Sequence, residues 1–318
     1  MSGKNLSDHS RAKIIDIMIP AYNACKFISA SIRSTLSQKL PAGWYQNIII
    51  VDDGSSDETV LHLQALFKDQ VNLIAHPQNR GRSATRNTGW RAGSGTYVIF
   101  LDADCEWFST ESLAAHLQIL ESGSDVSTGA IVSRDESFWG RYQNMLQASR
   151  EKHFSAGNPV AFTSANFAIK RSVLEASGGF DEGYRHYGFE DRDFLLRLVS
   201  LGAKISFCAE ASIIHKPDSS LVEVCRKMME SGENSSVRFQ SAHPEYYSES
   251  MYGKLDCRLQ GFPLTVLAMI LGPRIPGFAW LGDKMINLSG VPFQMKKACV
   301  KIMSGLAYMT GTYRGMKR

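Results

Sequence analysis

Two aspartates two residues apart, Asp102 and Asp104, stand directly after the apolar run YVIFL at 97–101. At the end of a buried strand such a pair can present one cluster of oxygens. A hard cation such as Mg²⁺ or Mn²⁺ takes carboxylate and phosphate oxygens together. A calcium loop does not fit, because Trp107 stands where that loop needs glycine and Leu113 where its closing glutamate belongs. A second acidic cluster lies in VDDGSSDET at 51–59, where Asp53 can accept a hydrogen bond from a base N–H or a ribose hydroxyl. Asp57 is read as a helix cap. NRGRSATRNTG at 79–89 offers Arg80, Arg82 and Arg86 beside a glycine and a helix start, which suits a phosphate. Glu190, Asp191 and Asp193 open an amphipathic segment, and a carboxylate in a helix's first turn is held ionised by the dipole. Held so, it can serve as a general base toward a hydroxyl. His215, in IIHKPD, can ligate Mn²⁺ if its strand end faces the same crevice.

The elements that must position these groups alternate. IIDIMI at 14–19, IIIV at 48–51, Val71 to Ala75 and YVIFL read as strands, with helices over 27–38, after Ser56 or Asp57, and over 81–93. This βαβαβαβ order predicts an α/β fold with a mostly parallel sheet, and ligands beyond the carboxyl ends of its strands. Both Asp52–Asp53 and Asp102–Asp104 fall at such ends. Further on, strands are expected at 129–133, 160–170 and up to 213–217, and helices near 137–152, 192–202 and 219–241.

The length of 318 residues allows one large or two small domains. Six cysteines without a CxxC pair disfavour a zinc site or a disulfide framework and suit a reducing compartment. The polar opening residues carry no apolar core, so no secretory leader is expected and the simplest location is cytoplasmic. From Leu255 to Arg318 nine Lys/Arg face two acidic residues, +7 against −3 for the rest of the chain. LQGFPLTVLAMILGP at 259–273 lacks charge but is shorter than the ~20 apolar residues of a spanning helix. Val300, Met303, Leu306, Ala307 and Met309 then alternate with Lys296, Lys297, Lys301 and Arg314. We read two amphipathic pieces at a membrane surface; the alternative is a plain helical cap on the domain. Nucleic acid is not expected as a partner, since the excess charge lies in an apolar tail rather than a basic stripe with stacking aromatics.

Taken in order, IDIMIPAYNA, VDDGSSDET, NRGRSATRNTG, FLDAD, GGFDE at 178–182, GFEDRDFLLRL at 188–198 and His215 resemble the family-2 glycosyltransferases. The later blocks resemble a galactosyltransferase-type carboxy half. The resemblance implies the GT-A fold, a Rossmann-like mixed sheet flanked by helices, here with a C-terminal helical extension. It implies a nucleotide-sugar donor, UDP-linked in the simplest case, and Mn²⁺ or Mg²⁺. Pro20, Ala21, Tyr22, Asp53, Arg80, Arg86 and Asp102 would bind the nucleotide or its sugar, and Asp104 and His215 the metal. Asp191 would be the base of a single inverting displacement, with Glu190, Asn166 and Asp181 near the transferred or accepting sugar. Phe189 departs from the family pattern, standing where many relatives have a second glycine. The expected organisation is a polar arm at 1–13, a transferase domain at 14–254 and a basic, apolar tail at 255–318. The tail would hold the protein on the cytoplasmic membrane face, with a glycan or lipid-linked glycan as acceptor. A sugar-phosphate nucleotidyltransferase is disfavoured because PAYNA, not a glycine-rich loop, follows the first strand, and a dehydrogenase because no GxGxxG opens a helix. An inactive, membrane-docked binding subunit is the remaining rival.

Overall fold

The computed structural model describes residues 13–158, 160, 162–216 and 219–317. The expected arm at 1–13 thus lies outside the described residues, apart from Lys13. Strands and helices alternate first: β1 (Lys13–Ala21), α1 (Ile28–Leu36), β2 (Trp44–Asp52), α2 (Thr59–Phe67), β3 (Asn72–Ala75), α3 (Arg82–Ala92) and β4 (Tyr97–Leu101). There follow β5 (Cys105–Trp107), α4 (Ser112–Glu121), β6 (Val126–Val132), α5 (Phe138–Ser155), β7 (Asn166–Lys170), α6 (Arg171–Ala176), α7 (Glu190–Ser200) and β8 (Ile205–His215). The remainder is helical: α8 (Leu221–Glu230), a π turn at Ser231–Ser235, α9 (Ser236–Ala242), α10 (Pro244–Glu249), α11 (Met251–Lys254) and α12 (Cys257–Gln260). The last helices are α13 (Phe262–Leu271), α14 (Ile275–Asn287) and α15 (Phe293–Gly315).

The eight strands form one sheet in the order β3-β2-β1-β4-β7-β6-β8-β5. The first four are mutually parallel; β7 runs antiparallel to both β4 and β6, and β5 antiparallel to β8. This is a mixed, mostly parallel sheet covered by helices. In β1 the side chains alternate: Ile15, Ile17 and Ile19 bury into a layer with Ile28, Leu113 and Leu117, while Met18 joins Phe100, Phe167 and Phe194 on the other face. Burial on both faces is why the strand reads as an unbroken apolar run. Its one carboxylate, Asp16, is fully buried and matched by Arg171 at 2.6 Å, Asn47 at 2.7 Å and the Gly95 N–H at 2.6 Å. The chain passes outward from β1 to β2 and β3 and returns on the other side as β4. The switch point therefore lies between β1 and its two neighbours, and their carboxyl ends Ala21, Asp52 and Leu101 share one edge.

Three expectations need correction. The strand expected over 160–170 begins only at Asn166, because Ser164 and Ala165 turn out of the sheet and Ser164 reaches Asp191. The second tail piece turns its apolar side inward rather than outward: Val300, Met303, Ala307 and Met309 are buried, and α15 lies on α8 and the π turn. Tyr308 is buried deep enough to hydrogen-bond Tyr247, whose hydroxyl also donates to Asp256 at 2.5 Å, so packing is continuous across 254–255. The apolar path does not stop at Pro273 either. It continues through a short 3-10 turn into α14, and 262–287 is long and apolar enough to cross a membrane by length and composition.

Candidate active site

A cavity of about 880 Å³ opens at the shared carboxyl edge of β1, β2 and β4. Pro20, Ala21, Tyr22, Asp53, Arg80, Arg86, Asp102 and Asp104 all line it. Asp53 is almost wholly buried. Its Oδ1 accepts from the Arg80 backbone N–H at 2.9 Å and sits 2.8 Å from His76 Nδ1, and its Oδ2 accepts from the Gly81 N–H at 2.9 Å. Asp53 thereby fixes the 79–82 loop against β2. Gly54 permits this approach: at φ 72° an added Cβ would meet the Gln78 backbone at 2.7 Å.

The three arginines of the 79–89 motif separate. Arg80 is half exposed and points to Glu182 at 3.4 Å, offering its backbone rather than its guanidinium to Asp53. Arg82 reaches Glu190 at 3.9 Å and lies over the Tyr187 ring. Arg86 is buried at the cavity floor, with Asp102 at 3.0 Å, Asp191 at 3.5 Å and Glu190 at 3.8 Å. Burial would lower its pKa, but the charges of Asp102, Asp191 and Glu190 outweigh that and raise it. A guanidinium ringed by three carboxylates organises them at the wall where nucleotide binding is expected of it.

Glu190 and Asp191 form the first turn of α7 and touch the cavity through Arg82 and Arg86 rather than lining its wall. Burial and then the charge of Asp191 push the Glu190 carboxyl up. Asp191 is one-quarter exposed, and Ser164 donates its hydroxyl to Asp191 Oδ1. Phe189, just before this pair, sits at φ 71° in the left-handed region. Its ring lies among Phe239, Tyr247, Tyr252 and Tyr308, which explains the departure from glycine: aromatic burial offsets backbone strain. Phe189→Gly should therefore lower stability by about 2–3 kcal/mol, the lost ring outweighing the relieved strain. Denaturant unfolding measures this, and a stabilised variant would contradict it.

Asp104 and His215 meet across the β5–β8 pairing, Oδ2 to Nε2, at 3.3 Å. Burial opposes the Asp104 charge, yet the hydrogen bond and charge of His215 hold its pKa below the usual value. Burial likewise opposes protonation of His215, but Asp104 favours it and raises its pKa, and His215 Nδ1 is buried without a partner among the described residues. One carboxylate oxygen and one imidazole nitrogen at a cavity edge fit Mn²⁺ or Mg²⁺ with several positions open for phosphate and water. Among the described residues no three His, Cys, Asp or Glu gather into a cage, so the protein alone does not complete a coordination shell.

Two sequence-predicted residues lie elsewhere. Asn166 is buried, bonded to His116 Nε2 and donating to the Ala130 and Ala211 carbonyls, so it ties β6, β7 and β8 together instead of facing a sugar. Burial pushes that His116 down to about 4. Asp181 is clasped by Arg238 at 2.5 and 2.7 Å, and its neighbour Glu182 lines the cavity in its place. Sequence reasoning missed the wall formed by Arg185, His186, Tyr187, Arg226, Lys227 and Glu230. Only the helical period of 219–241 hinted at the last three.

A switch-point cavity at strand ends of a mixed, mostly parallel sheet, edged by a carboxylate–imidazole pair and floored by an arginine–carboxylate cluster, defines an α/β protein of the GT-A type. Known proteins agree. The description "Glycosyl transferase family 2" matches residues 16–178, and "N-terminal domain of galactosyltransferase" matches 144–217. The chain belongs to glycosyl transferase family 2. The probable glycosyltransferase YdaM of Bacillus subtilis (strain 168) is 27% identical over 212 residues, 61% of this chain and 48% of that protein. An Escherichia coli enzyme, UDP-Glc:alpha-D-GlcNAc-diphosphoundecaprenol beta-1,3-glucosyltransferase WfgD, is 34% identical over 98 residues, 31% of this chain and 38% of its own. The chain thus spans less than half the length of these two relatives. In fold it is similar to the mannosyltransferase PcManGT from Pyrobaculum calidifontis in complex with GDP-Man and Mn²⁺, with a TM-score of 0.60 at 17% identity, covering 93% of this chain and 86% of that one.

Proposed function

We propose that the chain is an inverting transferase that moves a hexose-type sugar from a nucleoside diphosphate, UDP in the simplest case, to an acceptor hydroxyl. The single observation that carries this reading is the buried Arg86. It joins Asp102 on the donor side to Asp191 on the acceptor side within 3.5 Å. Pro20, Ala21, Tyr22 and Asp53 form the end of the cavity that receives the base, and Asp102 faces ribose or the sugar. Asp104 and His215 would hold Mn²⁺ or Mg²⁺, which when bound neutralises charge on the departing diphosphate. Arg82 adds positive charge at the same wall. The Ser164 and Arg86 contacts of Asp191 both fall on Oδ1, so Oδ2 is the oxygen that takes the acceptor proton. The acceptor oxygen then bonds to the anomeric carbon as the bond from that carbon to the phosphate oxygen breaks. The electron pair leaves with the nucleoside diphosphate, and attack from the opposite face inverts the anomeric centre.

The acceptor is a growing glycan or lipid-linked glycan on the cytoplasmic membrane face, a reading supported by the basic, apolar 255–318 segment and by the lipid-diphosphate substrate in the E. coli relative's name. Asp104→Ala and His215→Ala should each cut Mn²⁺-supported transfer by about 100-fold or more. Excess chelator should do the same to the parent. Undiminished turnover in chelator would remove the metal from the mechanism.

A further inference from the structure

The outer side of α13 and α14 inverts the pattern of a helix facing water. α14 buries Ile275, Ala279, Gly282 and Ile286, a seam at helical spacing whose isoleucines and alanine join the α8–α15 apolar cluster. Its other side ought to be polar. Instead Phe278, Trp280 and Leu281 are 40–57% exposed, and on α13 Phe262 is 79% exposed, with Met269 and Ile270 exposed two turns further along. Exposed large apolar side chains gathered on the outer side of such helices mark an interaction surface. From Cys257 to Arg318 the one acidic residue is Asp283, and its carboxylate already accepts the Leu221 backbone N–H at 2.6 Å. The other charges that these helices carry are therefore basic: Arg274 and Lys284, with Lys296, Lys297 and Lys301 on α15. Lys284 Nζ lies 4.4 Å above the Trp280 ring, an amphipathic pairing suited to a headgroup layer.

We propose that the α13–α14 face docks on an anionic lipid surface, with the α15 lysines meeting the headgroups. Charge complementarity selects this occupant. A second copy of the chain would bring basic rim against basic rim, whereas an anionic bilayer neutralises it and takes up the aromatic and aliphatic side chains. Helix α8 connects this face to the chemistry. Leu221 and Cys225 bury against α14 and α15, while Arg226, Lys227 and Glu230 of the same helix line the cavity. Two helix layers, α14 and α8, roughly 20 Å together, thus separate the docking layer from the donor cavity. Resting on the transferase reading, this makes the acceptor a lipid-anchored glycan whose hydroxyl is reached two helix layers above the membrane surface.

Flotation of the full chain with vesicles tests the proposal. The protein should float with phosphatidylglycerol-containing vesicles and much less with pure phosphatidylcholine. The triple variant Phe278→Ser, Trp280→Ser, Leu281→Ser should lower partitioning at least ~100-fold. Lys296→Gln, Lys297→Gln and Lys301→Gln should each lower it roughly fivefold on anionic vesicles only. All variants should keep the parent's melting temperature and nucleotide-sugar affinity. Absence of flotation, or flotation indifferent to the serine variant, overturns the proposal. So does a concentration-dependent dimer in lipid-free buffer that the serine variant abolishes, which assigns the face to a second copy. Transfer to a soluble acceptor without flotation sinks the docking alone, and flotation without any nucleotide-sugar binding sinks the transferase reading alone.

Discussion

Asp191→Asn should cut turnover by about 1,000-fold or more while leaving nucleotide binding within about twofold of the parent. The substitution keeps the size of the side chain and an oxygen to accept the Ser164 hydroxyl, so the local geometry survives. It removes the one property the mechanism needs, a carboxylate able to take the acceptor proton. Arg86 keeps Asp102 at 3.0 Å and Glu190 at 3.8 Å, so the floor of the cavity stays compensated. The split between lost turnover and retained binding is the diagnostic feature, because a merely structural role would damage both. Single-turnover assays with saturating donor, beside calorimetric titration of the nucleoside diphosphate, measure the two halves. Turnover within tenfold of the parent would remove Asp191 from the role of base.

Arg86→Met should be the most damaging single change to the fold near the site. Three carboxylates surround a guanidinium that is 1% exposed, and its Nε and Nη1 lack hydrogen-bond partners among the described residues. Removing the cation leaves buried negative charge uncompensated, which costs about 3–5 kcal/mol, a large share of the ~5–15 kcal/mol of a typical domain. Arg86→Lys separates charge from geometry. An ammonium restores a positive centre but lacks the planar fork that meets Asp102 and Asp191 together. The lysine variant should recover most of the urea midpoint and little of the activity. A methionine variant as stable as the parent would show that the cluster holds nothing together.

The parallel half of the sheet was legible because its signals are local. Apolar runs at 14–19, 48–51 and 97–101 gave β1, β2 and β4, and acidic residues placed directly after them had to fall at the ligand-binding edge. Which way a helical side chain faces was harder to see. Arg80, Arg82 and Arg86 look alike in sequence, and α3 is buried almost throughout from Ser83 to Trp90, so no amphipathic period marks Arg86 as the inward one. Asp181 and Glu182 differ only by one step around a turn, where no period exists to say which reaches the cavity. Asn166 was misread because a polar residue opening a buried strand can serve either a ligand or its neighbours' carbonyls, and here Ala130 and Ala211 claim it. The α8 wall carries no motif at all. Arg226 and Lys227 reach the site because α14 and α15 press α8 against it, a tertiary fact that the residues around them do not encode.

The central claim is that the Asp53, Asp102 and Asp104 edge receives a nucleoside diphosphate-sugar together with a divalent cation. Thermal unfolding of the purified chain with a panel of UDP-, GDP- and dTDP-sugars, in Mn²⁺ and again in chelator, measures that directly. The account predicts that at least one of these donors raises the melting temperature in Mn²⁺, and that chelator, or Asp104→Ala, removes most of the increase. Stabilisation by none of them, or stabilisation that chelator and Asp104→Ala both leave untouched, would contradict it.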